Sequence, residues 1–353
     1  MSLDVTPRIR VLIVDDSAFM RTALSRMVAS EPDMVVAGTA CNASDAFEKI
    51  ASLGPDVVTL DVAMPGLDGL GVLRRIMMLF PRPVIMVSAN TETDAEARFA
   101  ALSAGAFDYV PKQLSATSLD IIHIHADLVA KIRAAAHSCK KRPPQSIPSA
   151  DRPNSSVVPA IVAIGVSTGG PRALEQILPR FPTDLPVPIL IVQHMPAGFI
   201  RSFSERLDQI SSIKVCEGKH RAIIRPGVAY IAPAGLHMRV ISRLSDSKPL
   251  ITLDARPADA EHIPSVDVLM KSVAQVFKHR SIGVIMTGMG SDGAEGMTEI
   301  FNEGGITIGQ DESSCAVYGM PRARAERRVL TRVVPLSDIP IHIVQAVTRR
   351  RRA

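Results

Sequence analysis

Two sets of residues carry the types that do chemistry in this chain. Asp15 and Asp16 stand directly after the apolar run IRVLIV, and Asp61 directly after VVTL. Ser88 closes PVIMV, and Lys112 follows Tyr109, Val110 and Pro111. Three carboxylates gathered at one point make a hard-oxygen site suited to Mg²⁺. A carboxylate neutralised by such an ion can attack a phosphoryl donor, a lysine can pair with the product, and a hydroxyl can sense it. Taken singly, each Asp is as easily a turn residue or a helix cap. The case rests on all five falling at the ends of apolar runs.

The second set is Ser167 in GVSTGG, His194 at the end of PILIVQH and Asp292 in TGMGSDG. G-x-S-x-G between a strand and a helix presents a nucleophile on a tight turn. Pro171 suits the first position of the helix that follows, and the N–H groups of that helix start are placed to meet an oxyanion. The implied division of labour has Ser167 attacking, His194 as general base and then acid, and Asp292 orienting the imidazole. The chain order Ser, His, Asp is not that of the α/β-hydrolases, but a triad is defined by geometry.

Two other readings compete for these glycines. GVSTGGPR approaches a Walker A loop, yet Pro171-Arg172 stands where its Lys-Ser/Thr is required. Gly288, Gly290 and Gly293 spell G-x-G-x-x-G, with Asp311 placed as a ribose-binding acid. That would make a nucleotide-dependent oxidoreductase, although little chain remains for a two-halved dinucleotide fold and Ser167 and His194 go unused.

The elements that must position these residues read as alternating strands and helices. Strands are predicted at Ile9 to Val14, Met34 to Gly38, Val57 to Leu60, Val84 to Val87 and around Tyr109. Helices are predicted near Ala18 to Ala29, Ser44 to Ser52, Asp94 to Ser103 and Leu119 to Ala136. The stretch CKKRPPQSIPSADRPNSS is rich in Pro, Ser and charge and reads as a linker. Strands then resume at Ile161 to Val166, Pro188 to Val192, Val228 to Ala232, Ser281 to Thr287 and Ile306 to Gly309. Such alternation implies parallel sheets with helices on both faces, whose C-terminal strand ends meet at one edge. The expected boundaries are 1–133 for the first domain, 134–157 for a flexible linker and 158–353 for the second.

Composition agrees with this class. The 353 residues are 46% hydrophobic and 4% aromatic, without tryptophan, which suits buried parallel strands. The formal charge is +5, with much of the excess in Arg322 to Arg328 and in the tail Arg349 to Arg352, and the tail reads as a solvated segment. The four cysteines are scattered without a C-x-x-C pair, so reduced cytosolic thiols are expected. No signal peptide or membrane-length apolar run is evident, and the expected location is cytoplasmic.

The first part resembles the response-regulator receiver family through VLIVDDS, LDVAMPGLDG, the Ser after PVIMV, and YVPK. That resemblance implies a flavodoxin-like fold, Asp61 as phosphoacceptor, Asp15, Asp16 and Asp61 as the Mg²⁺ site, and Ser88 and Lys112 as switch residues. It departs at Ala63, where close relatives carry an acid or amide, which bears on the lifetime of the acyl phosphate. The second part resembles the protein-glutamate methylesterases of bacterial chemotaxis, the CheB family, through GVSTGG, LIVQHMPAGF, SFSERL, YIAPAGLHM, VIMTGMGSDG and CAVYGMP. The implication is a doubly wound, Rossmann-like α/β esterase with Ser167, His194 and Asp292 as triad. Its substrates would be glutamate methyl esters of chemoreceptors, with deamidation of receptor glutamines, and no cofactor for hydrolysis. A histidine kinase is the implied phosphodonor, with no nucleic acid partner and no membrane insertion. Ala234 departs from a PGG turn. The remaining alternative is a receiver coupled to a DNA-binding module, which the alternating strands of the second domain disfavour.

Overall fold

The computed structural model describes residues 7–64, 67–89, 100–102, 104–112, 118–138, 158–195, 199–243 and 248–348. The chain divides into two compact units, 1–141 and 142–353. The core of the expected linker, the expected helix from Asp94 to 99 and the Arg tail lie outside the described residues.

The first unit runs β1 (Ile9–Val14), α1 (Ala18–Ala29), β2 (Met34–Ala40), α2 (Ala43–Leu53) and β3 (Val57–Asp61). A small hairpin follows, β4 (Ala63–Met64) and β5 (Leu67–Asp68), then α3 (Gly69–Leu79), β6 (Val84–Ala89), β7 (Asp108–Lys112) and α4 (Ser118–Ser138). The sheet order is β2-β1-β3-β6-β7, parallel throughout. Alternate strand residues serve opposite faces. Leu12, Val14, Leu60 and Met86 pack on Ala46 and Ile50 of α2 and Leu73 and Ile76 of α3. Val11, Ile13, Ile85 and Val110 pack on Leu24 of α1 and Leu128 and Ile132 of α4. Helices therefore cover both faces, as expected. Gly69 has no room for a side chain, since a Cβ there would lie 2.5 Å from the Asp61 carbonyl. The helix α4 continues to Ser138, past the expected start of the linker at 134.

The second unit begins with β8 (Ile161–Val166), α5 (Gly170–Ile177), β9 (Ile189–Gln193), α6 (Ile200–Ile210), β10 (Lys214–Glu217) and β11 (Val228–Ile231). An antiparallel hairpin, β12 (His237–Ser242) with β13 (Pro249–Asp254), precedes α7 (Val266–Phe277). Then come β14 (Ser281–Ile285), α8 (Ala294–Asn302), β15 (Ile306–Gln310), α9 (Met320–Glu326), β16 (Arg332–Val334) and α10 (Ile339–Thr348). The seven-stranded sheet has the order β10-β11-β9-β8-β14-β15-β16, with all six neighbouring pairs parallel. From β8 the chain winds first toward β9 and later returns to β14 on the other side. The β8/β14 boundary is thus a topological switch point, the place where open α/β sheets form crevices. Beneath it Ile161, Ala163, Leu190 and Val192 pack on Leu269 and Val273 of α7 and Met297 and Ile300 of α8.

The edge strands β10 and β16 and the β12–β13 hairpin were not among the predicted elements. Ala234 is accommodated because the positive φ of its turn falls on Gly235 (78°). Among the described residues, no helix is long and apolar enough to cross a membrane.

Candidate active site

The two sets of residues fall at the C-terminal edges of the two sheets. In the first unit Asp15 and Asp61 are buried, at 0% and 2% exposure. One carboxylate oxygen from each of Asp15, Asp16 and Asp61 lies within 4.8 Å of the others. Lys112 Nζ stands 2.8 Å from Asp15 and 2.7 Å from Asp61. Burial opposes the lysine charge, but the two carboxylates outweigh it and hold its pKa above the ordinary lysine value. Arg21 braces the loop by donating to the Asp15 and Asp16 carbonyls at 2.7 and 2.8 Å. Two buried carboxylates and an exposed third against one ammonium leave net negative charge on oxygen donors, which suits a small divalent cation. Ser88 pairs with Pro111 beside this edge; its side chain, like that of Ala63, lies outside the described residues.

In the second unit Ser167 directly follows β8 and His194 directly follows β9. The Ser167 amide donates to the Thr287 carbonyl at 3.0 Å and the His194 amide to the Val166 carbonyl at 3.2 Å. The sheet's own pairing thereby sets Ser167 and His194 side by side at the ends of neighbouring strands. The side-chain amide of Gln193 ties them further, donating to the carbonyls of Ser167 (3.0 Å) and His194 (2.9 Å). Gly170 must lack a side chain, because a Cβ would fall 2.0 Å from Gln193 Oε1. Gly169 caps α5 at φ 76°, a conformation that L side chains rarely adopt. Pro171 is therefore the second helical residue, one place later than expected. The Gly170 amide returns to the Ser167 carbonyl at 2.8 Å.

His194 Nε2 donates to Asp292 Oδ2 at 2.8 Å. Its Nδ1 is buried without a hydrogen-bond partner. With Nε2 holding the proton that binds the carboxylate, Nδ1 carries the lone pair of the neutral ring and is the nitrogen able to take a proton. Asp292 accepts three further bonds, from Ser265 Oγ (2.8 Å), Val266 N (2.7 Å) and Asp267 N (3.0 Å). The last two amides open α7, so the carboxylate sits on a helix N-terminus. Burial opposes ionisation of Asp292, but the His194 bond and these donors prevail and hold its pKa well below the usual carboxylate value of 3.8. Ser167 and His194 are thus adjacent at the ends of neighbouring strands, and His194 is paired with Asp292, all at one switch point.

The CheB methylesterase family model matches residues 162–343, and a response regulator receiver domain model matches residues 11–122. The protein-glutamate methylesterase/protein-glutamine glutaminase of Pyrococcus horikoshii is 45% identical over 347 residues, covering 96% of this chain and 94% of that one. The chain belongs to the CheB methylesterase family. A protein of the same printed name from Symbiobacterium thermophilum is 44% identical over 98% of this chain and 99% of its own. The crystal structure of the Thermotoga maritima CheB methylesterase catalytic domain matches at 38% identity with a TM-score of 0.52, covering 54% of this chain and 99% of that one. This protein is therefore a CheB-family enzyme with a receiver unit, and its class is α/β in both parts.

The dinucleotide alternative fails on the same residues. Gly288 packs on the nucleophile, a Cβ there lying 2.9 Å from Ser167 Cβ, and one on Gly293 would lie 2.6 Å from Val266 Cγ1. Asp311 is occupied as a cap, accepting from Ser313 Oγ, Ser314 N and Ser314 Oγ.

Three supports of the CheB-family site were not found by sequence reasoning. The segment from His262 to Asp267 carries most of the bonds to Asp292 and sets the His262 ring 4.2 Å from that of His194, centroid to centroid. His237, fully buried, accepts the Ser265 N–H on Nδ1 (3.1 Å) and donates from Nε2 to the Pro257 carbonyl (3.0 Å). Arg324, one of the basic residues of the stretch from Arg322 to Arg328, is wholly buried. It donates to the carbonyls of Met320 (2.6 Å), Asp292 (2.6 Å) and Ser291. Burial lowers its pKa to about 10 despite the nearby charges of Asp267 and Asp292. Asp267 returns the favour that Asp292 does for α7: its carboxylate accepts the Gly296 amide in the first turn of α8 at 2.7 Å.

Proposed function

We propose that this protein hydrolyses glutamate γ-methyl esters on methyl-accepting chemotaxis receptors, releasing methanol, and deamidates receptor glutamines at the same site. The observation that carries the chemistry is the buried, unpartnered His194 Nδ1 on a ring whose other nitrogen is held by Asp292. Ser167 Oγ gives its proton to His194 and attacks the ester carbonyl. The tetrahedral oxyanion is met by backbone amides of the Ser167 turn. Collapse expels methanol, protonated by His194, and leaves a glutamyl-serine ester. Water then enters, His194 takes its proton, and the free glutamate departs. With glutamine the same path releases ammonia.

Phosphorylation of Asp61 controls the reaction, with a chemotaxis histidine kinase as phosphodonor. Asp15, Asp16 and Asp61 would hold the Mg²⁺ whose charge offsets that of the transferred phosphoryl group. Lys112 is placed to pair with that phosphoryl group, and Ser88 is assigned to sense it. The working arrangement is a receiver that ends with α4 at Ser138, a linker up to 157 and an esterase at 158–353, acting in the cytoplasm.

The test is methanol release from methylated receptor fragments by full-length protein, with and without acetyl phosphate and Mg²⁺. The wild type should accelerate with the donor, and Asp61→Asn should hold one low rate in both conditions. Ser167→Ala should lose at least about 10³-fold, as triad nucleophiles commonly do. A Ser167→Ala variant that keeps more than a few per cent of the activity sinks the nucleophile assignment. A donor response in Asp61→Asn sinks the phosphoacceptor assignment.

A further inference from the structure

The bond from His194 Nε2 to Asp292 fixes one edge of the imidazole but not its plane. A ring held at one edge can turn about the line to the carboxylate and redirect Nδ1. A single hydrogen bond resists that rotation weakly, because its energy depends mainly on distance and on the N–H···O angle. The opposite side of the ring is met by a second imidazole. The centroids of His194 and His262 stand 4.2 Å apart with the planes tilted by 32°, a face contact in the range where aromatic pairs attract. His262 is itself fixed close to the triad by its chain position. Ser265, Val266 and Asp267, three to five residues on, all donate to Asp292. The neighbouring Ile263 carbonyl accepts the Gly235 amide at 3.3 Å. One short segment thus holds the carboxylate by its amides and the imidazole by its face.

We infer that His262 is a positioning residue for the esterase reaction: its ring holds the plane of His194 and thereby sets the direction in which Nδ1 takes its proton. The inference rests on the Ser167–His194–Asp292 reading. The His262 face also lies against the ring that becomes an imidazolium when the serine gives up its proton.

Two rates separate this role from others in the full-length protein. One is methanol release from methylated receptor fragments. The other is phosphonylation of Ser167 by a small fluorophosphonate, which needs the activated serine but no receptor docking. His262→Ala should lower kcat and the phosphonylation rate together by about tenfold, equivalent to about 1.4 kcal/mol, with KM within about twofold. His262→Phe, which keeps a flat face and cannot titrate, should recover most of both rates. His262→Leu, of similar bulk without a flat face, should stay near the Ala variant, and all three should melt near the wild type. If the Ala variant does not fold, the contrast between Phe and Leu carries the test. Wild-type rates in the Ala or Leu variant overturn the inference. So does a Phe variant as slow as Leu, which would require the imidazole nitrogens rather than the ring face. A loss confined to methanol release, with phosphonylation intact, also overturns it by making His262 a receptor contact. Phosphonylation persisting in Ser167→Ala would instead overturn the triad reading beneath it.

Discussion

Asp61 ends one parallel strand and Asp292 lies beyond the C-terminal end of another, yet the two units meet carboxylate charge by different means. Asp15 and Asp61 are buried against one shared ammonium, that of Lys112, with Asp16 exposed beside them. Asp292 is met by an imidazole, a hydroxyl and two amides of a helix N-terminus. The first arrangement leaves an excess of negative charge that a divalent cation would offset. The second is completed by the protein, as a group that must only orient and stabilise an imidazolium should be. The same sheet edge thus serves a switch in one unit and a fixed reagent in the other, and the supply of donors decides which.

The largest test of that contrast is Asp292→Asn. Removing the charge that stabilises the imidazolium should lower kcat by about 10³–10⁴-fold, with KM little changed. The same change should lower stability by about 1–3 kcal/mol, because an amide meets the donors at the α7 start less well than a carboxylate. Its pH dependence has a definite sign. A carboxyl whose folded pKa lies below 3.8 gives stability that is present above that value and lost as pH falls below it. Urea midpoints of the wild type should therefore drop below pH 4, and those of Asp292→Asn should drop less. Equal acid dependence in both proteins would detach Asp292 from the fold.

Arg324→Met comes next. It should cost about 3 kcal/mol, because three carbonyls lose a buried cation that nothing nearby replaces. Turnover in the folded fraction should fall about tenfold as the Asp292 backbone loosens. Thermal melts and single-turnover rates measure the two separately, and a fully active, equally stable variant would remove Arg324 from the site.

The smallest effect is expected in the receiver. Asp61→Asn leaves one buried carboxylate for Lys112, relieving repulsion, so stability should change by no more than about 1 kcal/mol and in the favourable direction. The sharper reading is Mg²⁺: the cation should raise the melting temperature of the wild type and leave Asp61→Asn nearly unmoved. Destabilisation of Asp61→Asn comparable to that of Asp292→Asn would erase the distinction between the two edges.

The triad and the acidic set were legible because each member ends an apolar run or lies in the loop that follows one, and parallel sheets gather strand ends. Both sheet centres were equally legible, since strands such as β8 and β14 are buried on every residue. The edge strands β10 and β16 were not, because KVCE and RVV are short and partly exposed and give no apolar run to read. The supports of Asp292 were hidden for another reason. Backbone amides of Val266 and Asp267 are donors in any sequence, and nothing in the chain marks which two will face a carboxylate. Arg324 went unmarked because its burial depends on carbonyls brought from Ser291, Asp292 and Met320. His262 and His237 carry no spacing signal, and their roles exist only once the strands have folded together.

Each of the helices α7 and α8 begins on a carboxylate supplied from beside the other: Asp292, just before α8, receives the amides of α7, and Asp267, in α7, receives one from α8. A locally frayed α7 would release the triad acid, and a displaced acid would release α7. Amide hydrogens at Val266, Asp267 and Gly296 should therefore exchange with solvent as one cooperative unit, at the rate at which the site itself comes apart. Inactivation by heat or denaturant then coincides with the opening of these two helices, with no earlier stage in which a folded protein carries a softened triad.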